Sequence, residues 1–336
     1  MAEFHVSELA PNGITYAGGT PQILTQQIKA QLAMDADLIT APNGGILAAL
    51  TQYIDPEIVR VLFAPMPLTG VFSELQKGDW TTKNMTFPVV EGTGKPTSYG
   101  DWNDNGTTSA NVNFEHRQPY LFQEFIRVGE LEQETYGQAK VNLASELQTT
   151  CVLSLNKLSH EIYAKGVSGL QNFGILNDPN LSAYIPSTVK WVGQTDPLVI
   201  FQDVQKLFTK LVEQTKGLVK SNDPIRFLTS PRMEAALSAT NMYGLNATKV
   251  IKESYPNLEV VGVPEYETEA GDVAQMILPS YMGSDNVQLP YNVKMRVHPI
   301  IQHASGYIQK RTQGCYGALI RRPIFIAQML VDNSTP

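Results

Sequence analysis

The stretch Leu131–Lys165, LEQETYGQAKVNLASELQTTCVLSLNKLSHEIYAK, decides how the rest of the chain is read. It lies in the longest proline-free run of the sequence, between Pro119 and Pro179. Ala139, Leu143, Leu147, Cys151, Leu155, Leu158 and Ile162 recur at steps of three and four, which draws one apolar stripe down a helix. Glu130, Glu132 and Glu134 stand in the first turns and Lys165 at the end, as the helix dipole favours, and Gly166 supplies a stop. About 35 residues at 1.5 Å each predict a helix of roughly 50 Å. A stripe that long needs a long partner surface. Directly after it runs a Gly- and Asn-rich loop, Gly169-Leu-Gln-Asn-Phe-Gly-Ile-Leu-Asn-Asp-Pro179.

Upstream, Trp80–Asn113 is rich in Thr, Gly, Asn and Ser. Met85-Thr-Phe-Pro-Val-Val90 opens it, and Ala110-Asn-Val-Asn-Phe114 closes it with polar and apolar residues alternating. Gly92, Gly94, Pro96, Gly100, Asn105 and Gly106 between them are turn residues, so the segment predicts a long hairpin with a loose tip. Two strands of about 14 residues would reach about 45 Å. An isolated hairpin is marginal in water, so this one should rest on a neighbour. Its aromatic residues Trp80, Phe87, Tyr99 and Trp102 either pack locally in a β domain or anchor the hairpin on an adjacent subunit. The second reading is preferred, because the hairpin has no obvious partner of its own.

Pro65, Pro67 and Gly70 forbid a long helix between residues 65 and 78. Before them, Met1–Gly19 reads as an irregular arm. Pro21–Met34 predicts a short amphipathic helix (Ile23, Leu24, Ile28, Leu32) and Gly45–Gln52 a further helical piece. No self-sufficient core is visible in residues 1–65. Beyond Pro179 the pattern is mixed α/β. Pro197–Gly217 predicts a strong amphipathic helix, Ile225–Thr229 a strand, and Ser230-Pro231 the start of another helix. Glu259–Val263, Val273–Leu278, Val293–His298 and Gly317–Met329 read as strands, the last returning the chain to the first domain.

Composition narrows the function classes. Of 336 residues, 43% are hydrophobic and 17% charged, low against a typical ~25%, which fits either a large core or surface hidden against other chains. The net charge of −7 comes without any Lys/Arg run that would mark a nucleic-acid footprint. Met1–Ala10 has neither a basic start nor an apolar core, so no secretion signal is expected. No window approaches 18 apolar residues, so no membrane span is expected and the protein should be cytosolic when made. Cys151 and Cys315 read as buried free thiols. His298 and His303 lack further ligands at metal spacing, and Asp101, Asp104, Asn105 and Gly106 imitate a calcium loop without its terminal Glu. No nucleophile elbow, phosphate loop or dinucleotide fingerprint appears. No catalytic, metal or cofactor-binding residue is therefore expected.

In this order of elements, residues 53–180 resemble the HK97-fold major capsid proteins of tailed bacteriophages. The resemblance is carried by Tyr53-Ile-Asp-Pro56 before the hairpin, the lead Gln118–Gly137 into the long helix, and the loop Gly169–Pro179 after it. Ile320-Arg-Arg-Pro-Ile324 is similar to that family's last strand. The resemblance implies an α+β fold with an N-terminal arm at 1–65 and an extended loop with its flanks at 66–116. It implies a peripheral domain on a spine helix at 117–190 plus 291–336, and an axial domain at 191–290. It also implies a structural protein, assembled in the host cytoplasm and residing in the virion. Pentamers and hexamers would close into an icosahedral shell holding double-stranded DNA without sequence-specific binding. Portal, separate scaffold and decoration proteins are the implied partners, since residues 1–60 are too short and uncharged for a fused scaffold. Some relatives weld Lys to Asn between subunits, and Lys83 and Lys95 lie where such a Lys would sit. Two readings compete: an encapsulin-type compartment of the same fold, and an α/β enzyme with its site in 191–290. The latter stretch contains no histidine.

Overall fold

The computed structural model describes residues 65–138, 142–194, 196–240 and 245–332. Apart from the helix end Glu134–Gln138, these belong to one compact unit. The expected arm and its two helical pieces lie outside the described residues.

Among the described residues the first elements in chain order are α1 (Leu68–Val71), β1 (Ser73–Gln76), β2 (Met85–Lys95), β3 (Thr107–Arg117), β4 (Tyr120–Gly129), α2 (Glu130–Gln138) and α3 (Leu143–Lys165). There follow β5 (Ile185–Pro186), α4 (Pro197–Gln214), β6 (Arg226–Thr229), α5 (Pro231–Ser238), α6 (Ala247–Ser254) and β7 (Glu259–Gly262). A 3-10 turn at Pro264–Tyr266 leads to β8 (Glu267–Thr268), β9 (Gly271–Ile277), β10 (Ser280–Tyr281) and β11 (Ser284–Asp285). The chain ends with β12 (Val287–His303), β13 (Gly306–Cys315), β14 (Leu319–Ile320) and β15 (Ile326–Val331).

The predicted 35-residue helix is interrupted. Helix α3 starts afresh at Leu143, and Asn142 caps it, its Oδ1 accepting from Ser145 N at 3.2 Å. A short polar side chain that satisfies an orphan N–H makes a helix start at that point favourable. The 23 residues of α3 measure about 35 Å. Its stripe holds through Cys151, Leu155 and Ile162, which are buried, while Leu158 stands exposed. The stop is where the sequence placed it. Gly166 (φ +68°) donates its N–H to Ile162 O, and a Cβ there would fall on Asn172 O. Only glycine fits that left-handed turn.

Helix α3 lies against a five-stranded sheet of order β1-β12-β13-β4, with β14 also on β12. Phe122, Ile126 and Val128 of β4 meet Leu155 and Ile162 in one core. Each such side chain, fully buried, contributes on the order of 1.5–3 kcal/mol. The expected strand Val293–His298 is the middle of the much longer β12, paired antiparallel with β13.

A six-stranded sheet of order β5-β15-β9-β6-β7, with β8 on β9, divides two cores. Side chains alternate across a strand, and here each face has its own partner. Val273 and Ile277 of β9, Ile326 and Leu330 of β15, and Leu228 of β6 join the core of α3. Ala274 and Met276, Ala327, Met329 and Val331, and Phe227 join a second core with α4, α5 and α6. Asp196, Ser230 and Asn246 cap those three helices, with Pro197 and Pro231 at first helical positions. The strand expected at Gly317–Met329 is two strands, split by the turn Pro323–Phe325. The return of the chain to the first core is carried by one face of β15, whose ladder partners are β9 and β5.

Candidate assembly surface

Strands β2 and β3 pair in unbroken antiparallel register from Met85↔Arg117 to Lys95↔Thr107, and with no other strand among the described residues. Eleven residues each give a finger of about 37 Å, shorter than the expected 45 Å.

Its two faces differ. One carries Met85, Phe87 and Val89 opposite Arg117, Glu115 and Asn113. Near the base this face is covered. Arg117 is buried and its Nη2 bonds Asp178 Oδ2 at 2.9 Å, while its guanidinium lies 4.9 Å from the Phe173 ring centre and 5.7 Å from that of Phe87. The other face carries the pairs Pro88↔Phe114 and Val90↔Val112. Val90, Val112 and Phe114 are 62%, 53% and 58% exposed. Cross-strand apolar pairs left open to water are a surface that a partner could cover. The sequence signal for them was the alternation Asn111-Val-Asn-Phe114.

At the tip, hydrogen bonds within the loop hold its shape. Asn103 N donates to Gly100 O at 2.9 Å, Asn103 Nδ2 to Ser98 O at 2.8 Å, and Tyr99 Oη to Asp101 Oδ1 at 2.8 Å. This ordered turn presents Tyr99 and Trp102 almost wholly to solvent, at 94% and 97%.

The four aromatic candidates are therefore not brought together. Trp80 is half-buried, edge-on to His298 at 6.2 Å and 5.3 Å from the Arg296 guanidinium. Phe87 lies half-buried under Arg117. Both have partners in their own chain; Tyr99 and Trp102 stand at the tip. Lys83 and Lys95 flank or end β2 and are exposed.

Two further groups of apolar side chains stand open on the five-stranded sheet. The far end of β12 exposes Val297, Ile300 and Ile301, and the outer face of β4 exposes Leu121 and Phe125.

Inside, buried polar groups pair across the core. His160 of α3 is buried; its Nε2 accepts from Leu68 N at 3.3 Å, so its Nδ1 carries the proton toward Glu265 Oε1 at 2.9 Å. Burial pushes the Glu265 carboxyl up, but the hydrogen bond donated by the His160 ring outweighs this and holds it below the ordinary range. Cys151 and Cys315 are free and buried. Burial, reinforced by the charge of Glu124, pushes the Cys151 thiol up to about 11, and burial pushes Cys315 to about 12.

A family model described as the Pa193 gp26 major capsid protein matches residues 37–331. No curated protein matches the chain. Among solved structures, the capsid of Myoviridae phage XM1 is similar with a TM-score of 0.73 at 14% identity, over 85% of this chain and 98% of that one. The capsid of a native GTA particle is similar with a TM-score of 0.59 at 10% identity, over 88% of this chain and 98% of that one. The SrpI encapsulin of Synechococcus elongatus PCC 7942 is similar with a TM-score of 0.55 at 10% identity, over 86% and 96%. At these identities the likeness is one of fold, and that fold is the HK97-like one.

Proposed function

The chain belongs to the Pa193 gp26 major capsid protein family, and from that premise we propose that its projecting hairpin joins copies of it into pentamers and hexamers of an icosahedral shell around double-stranded DNA. It is a structural protein of a capsid, and in this reading it performs no catalysis. The observation that carries the proposal is the hairpin β2–β3. It pairs only with itself among the described residues, exposes an apolar face, and ends in two solvent-borne aromatic residues. A two-stranded ribbon of this kind gains its stability from a surface laid against it. A second copy supplies that surface, with Tyr99, Trp102, Val90, Val112 and Phe114 as contacts. Residues 117–190 with most of 291–336 form the peripheral part of the shell and 191–290 the part nearest the capsomer axis. A scaffold, a portal and decoration proteins are the partners this role calls for.

Negative-stain microscopy of the purified chain, with and without its scaffold, tests the reading. Closed particles are expected from the full chain. Deleting Lys83–Asn111 should leave a folded subunit by circular dichroism and no closed shells; normal particles from that deletion would refute the role given to the hairpin. The likeness to an encapsulin keeps a second reading in view, a compartment around a protein cargo. Particles that enclose nuclease-protected DNA support the first, and particles holding a protein the second.

A further inference from the structure

Beside the hairpin base, Phe87–Val90 of β2 and the doublet Arg321-Arg322 line a groove of about 360 Å3. Both guanidinium groups are held by neutral acceptors. Arg321 Nη2 donates to Gln288 Oε1 at 3.1 Å, and Arg322 Nη1 to Tyr281 O at 3.2 Å and Asn286 Oδ1 at 3.4 Å. Among the described residues no carboxylate pairs with either. A guanidinium has five N–H donors, so most remain for an incoming anion. The groove is thus apolar along one wall and doubly cationic along the other.

The hairpin tip has the complementary make-up. Between Pro96 and Gly106 it carries Tyr99, Trp102, Asp101 and Asp104 and no basic residue. Its internal hydrogen bonds fix the turn before any partner arrives, which lowers the ordering cost of docking. Arg stacks on an aromatic face and pairs with a carboxylate more strongly than Lys does.

The tip cannot fill the groove of its own chain. From Val90 the ladder runs on for five residues to Lys95, about 17 Å of paired strand pointing away. While those pairs persist, the occupant must come from another molecule.

Resting on the shell reading above, we infer that the hairpin tip of one copy seats in this groove of the next, Trp102 and Tyr99 against Phe87–Val90 and Asp101 and Asp104 against Arg321 and Arg322. Such a contact is head-to-tail, and head-to-tail contacts close into rings when the rotation permits. The groove, and not only the finger, then sets which surface each neighbour meets.

The test is a disulfide trap in assembled particles of the full chain. The pair Trp102→Cys with Val90→Cys, oxidised, should yield a ladder of covalent multimers on a non-reducing denaturing gel, and mass spectrometry should find a peptide joining the two substituted positions. The pair Trp102→Cys with Ser221→Cys should stay monomeric. Independently, Asp101→Arg with Asp104→Arg should raise the protein concentration needed for particles at least tenfold, and adding Arg321→Asp should recover part of that loss. Particles that form without the ladder would overturn the proposal and leave the shell reading standing; failure of the unaltered chain to form particles would remove both. If Arg321→Glu lowers only the retention of DNA while assembly is unchanged, the doublet faces packaged DNA and the proposal fails.

Discussion

Arg117, the last residue of β3, forms a buried ion pair with Asp178 of the loop after the spine helix, 61 positions away, at 2.9 Å. Phe173 of the same loop lies against the guanidinium face. The finger is thereby rooted in the body at its base, where Asn180 Nδ2 also donates to Glu115 Oε1 at 3.4 Å, while its strands pair only with each other among the described residues. The aim of the hairpin depends on that root.

Removing one partner of this pair leaves the other charge buried and uncompensated. Arg117→Met should therefore cost on the order of 3–5 kcal/mol of stability, and Asp178→Asn less, since an amide can still accept from the guanidinium. Urea denaturation followed by circular dichroism measures both. A loss below about 1 kcal/mol for Arg117→Met would mean that the pair is not desolvated in solution.

The exposed stripe of the hairpin behaves in the opposite way. Val112→Lys and Phe114→Ser remove side chains that touch little in the subunit, so stability should change by no more than about 0.5 kcal/mol. Assembly, scored by sedimentation of particles, should fall sharply. Normal assembly by Val112→Lys would show that this face stays open to water in the shell.

Glu265 links stability to pH. Its carboxyl is held below the ordinary 4.5 in the folded chain, so folding favours the ionised form. That contribution is fully present above the unfolded value and is lost as pH falls through the lowered folded one. The thermal stability of the native chain should fall below about pH 4.5, and Glu265→Gln should flatten that part of the profile. Identical slopes for the two proteins would dismiss the His160–Glu265 contact as an energetic link.

Both thiols should be inert in the native state. With burial holding Cys151 near 11 and Cys315 near 12, almost no thiolate exists at pH 8. Iodoacetamide should add nothing to native protein within an hour and two groups after denaturation, read by intact mass. Fast labelling of the native chain would reveal an opening of the core around α3.

How much of this was legible beforehand follows from what each signal depends on. The stripe from Leu143 to Ile162 and its stop at Gly166 are local, so periodicity and one glycine were enough. The interruption before Leu143 was not seen, because Ala139 and Leu143 keep the helical phase; Gly137 and the capping residue Asn142 were the only hints. Trp80 shows what aromatic content alone leaves out. Its partners Arg296 and His298 lie more than 200 positions away on β12, and nothing near Trp80 announces them. Likewise, alternation located the strands of the hairpin, but which face remains open is decided by the distant Asp178 and Phe173 that cover the other. The Arg321-Arg322 doublet was visible as charge; the strand that turns it into a groove comes from the hairpin base.

The sheet between the two cores has a mechanical consequence. Sliding β15 by one position along β9 would throw Ile326 and Leu330 into the space of Ala327 and Met329, spoiling both interiors at once. No half-way arrangement is tolerable, so the body yields as a block or not at all. If copies meet at fivefold and sixfold settings as proposed, a difference in angle between those settings would fall to the slender ribbon that leaves the body.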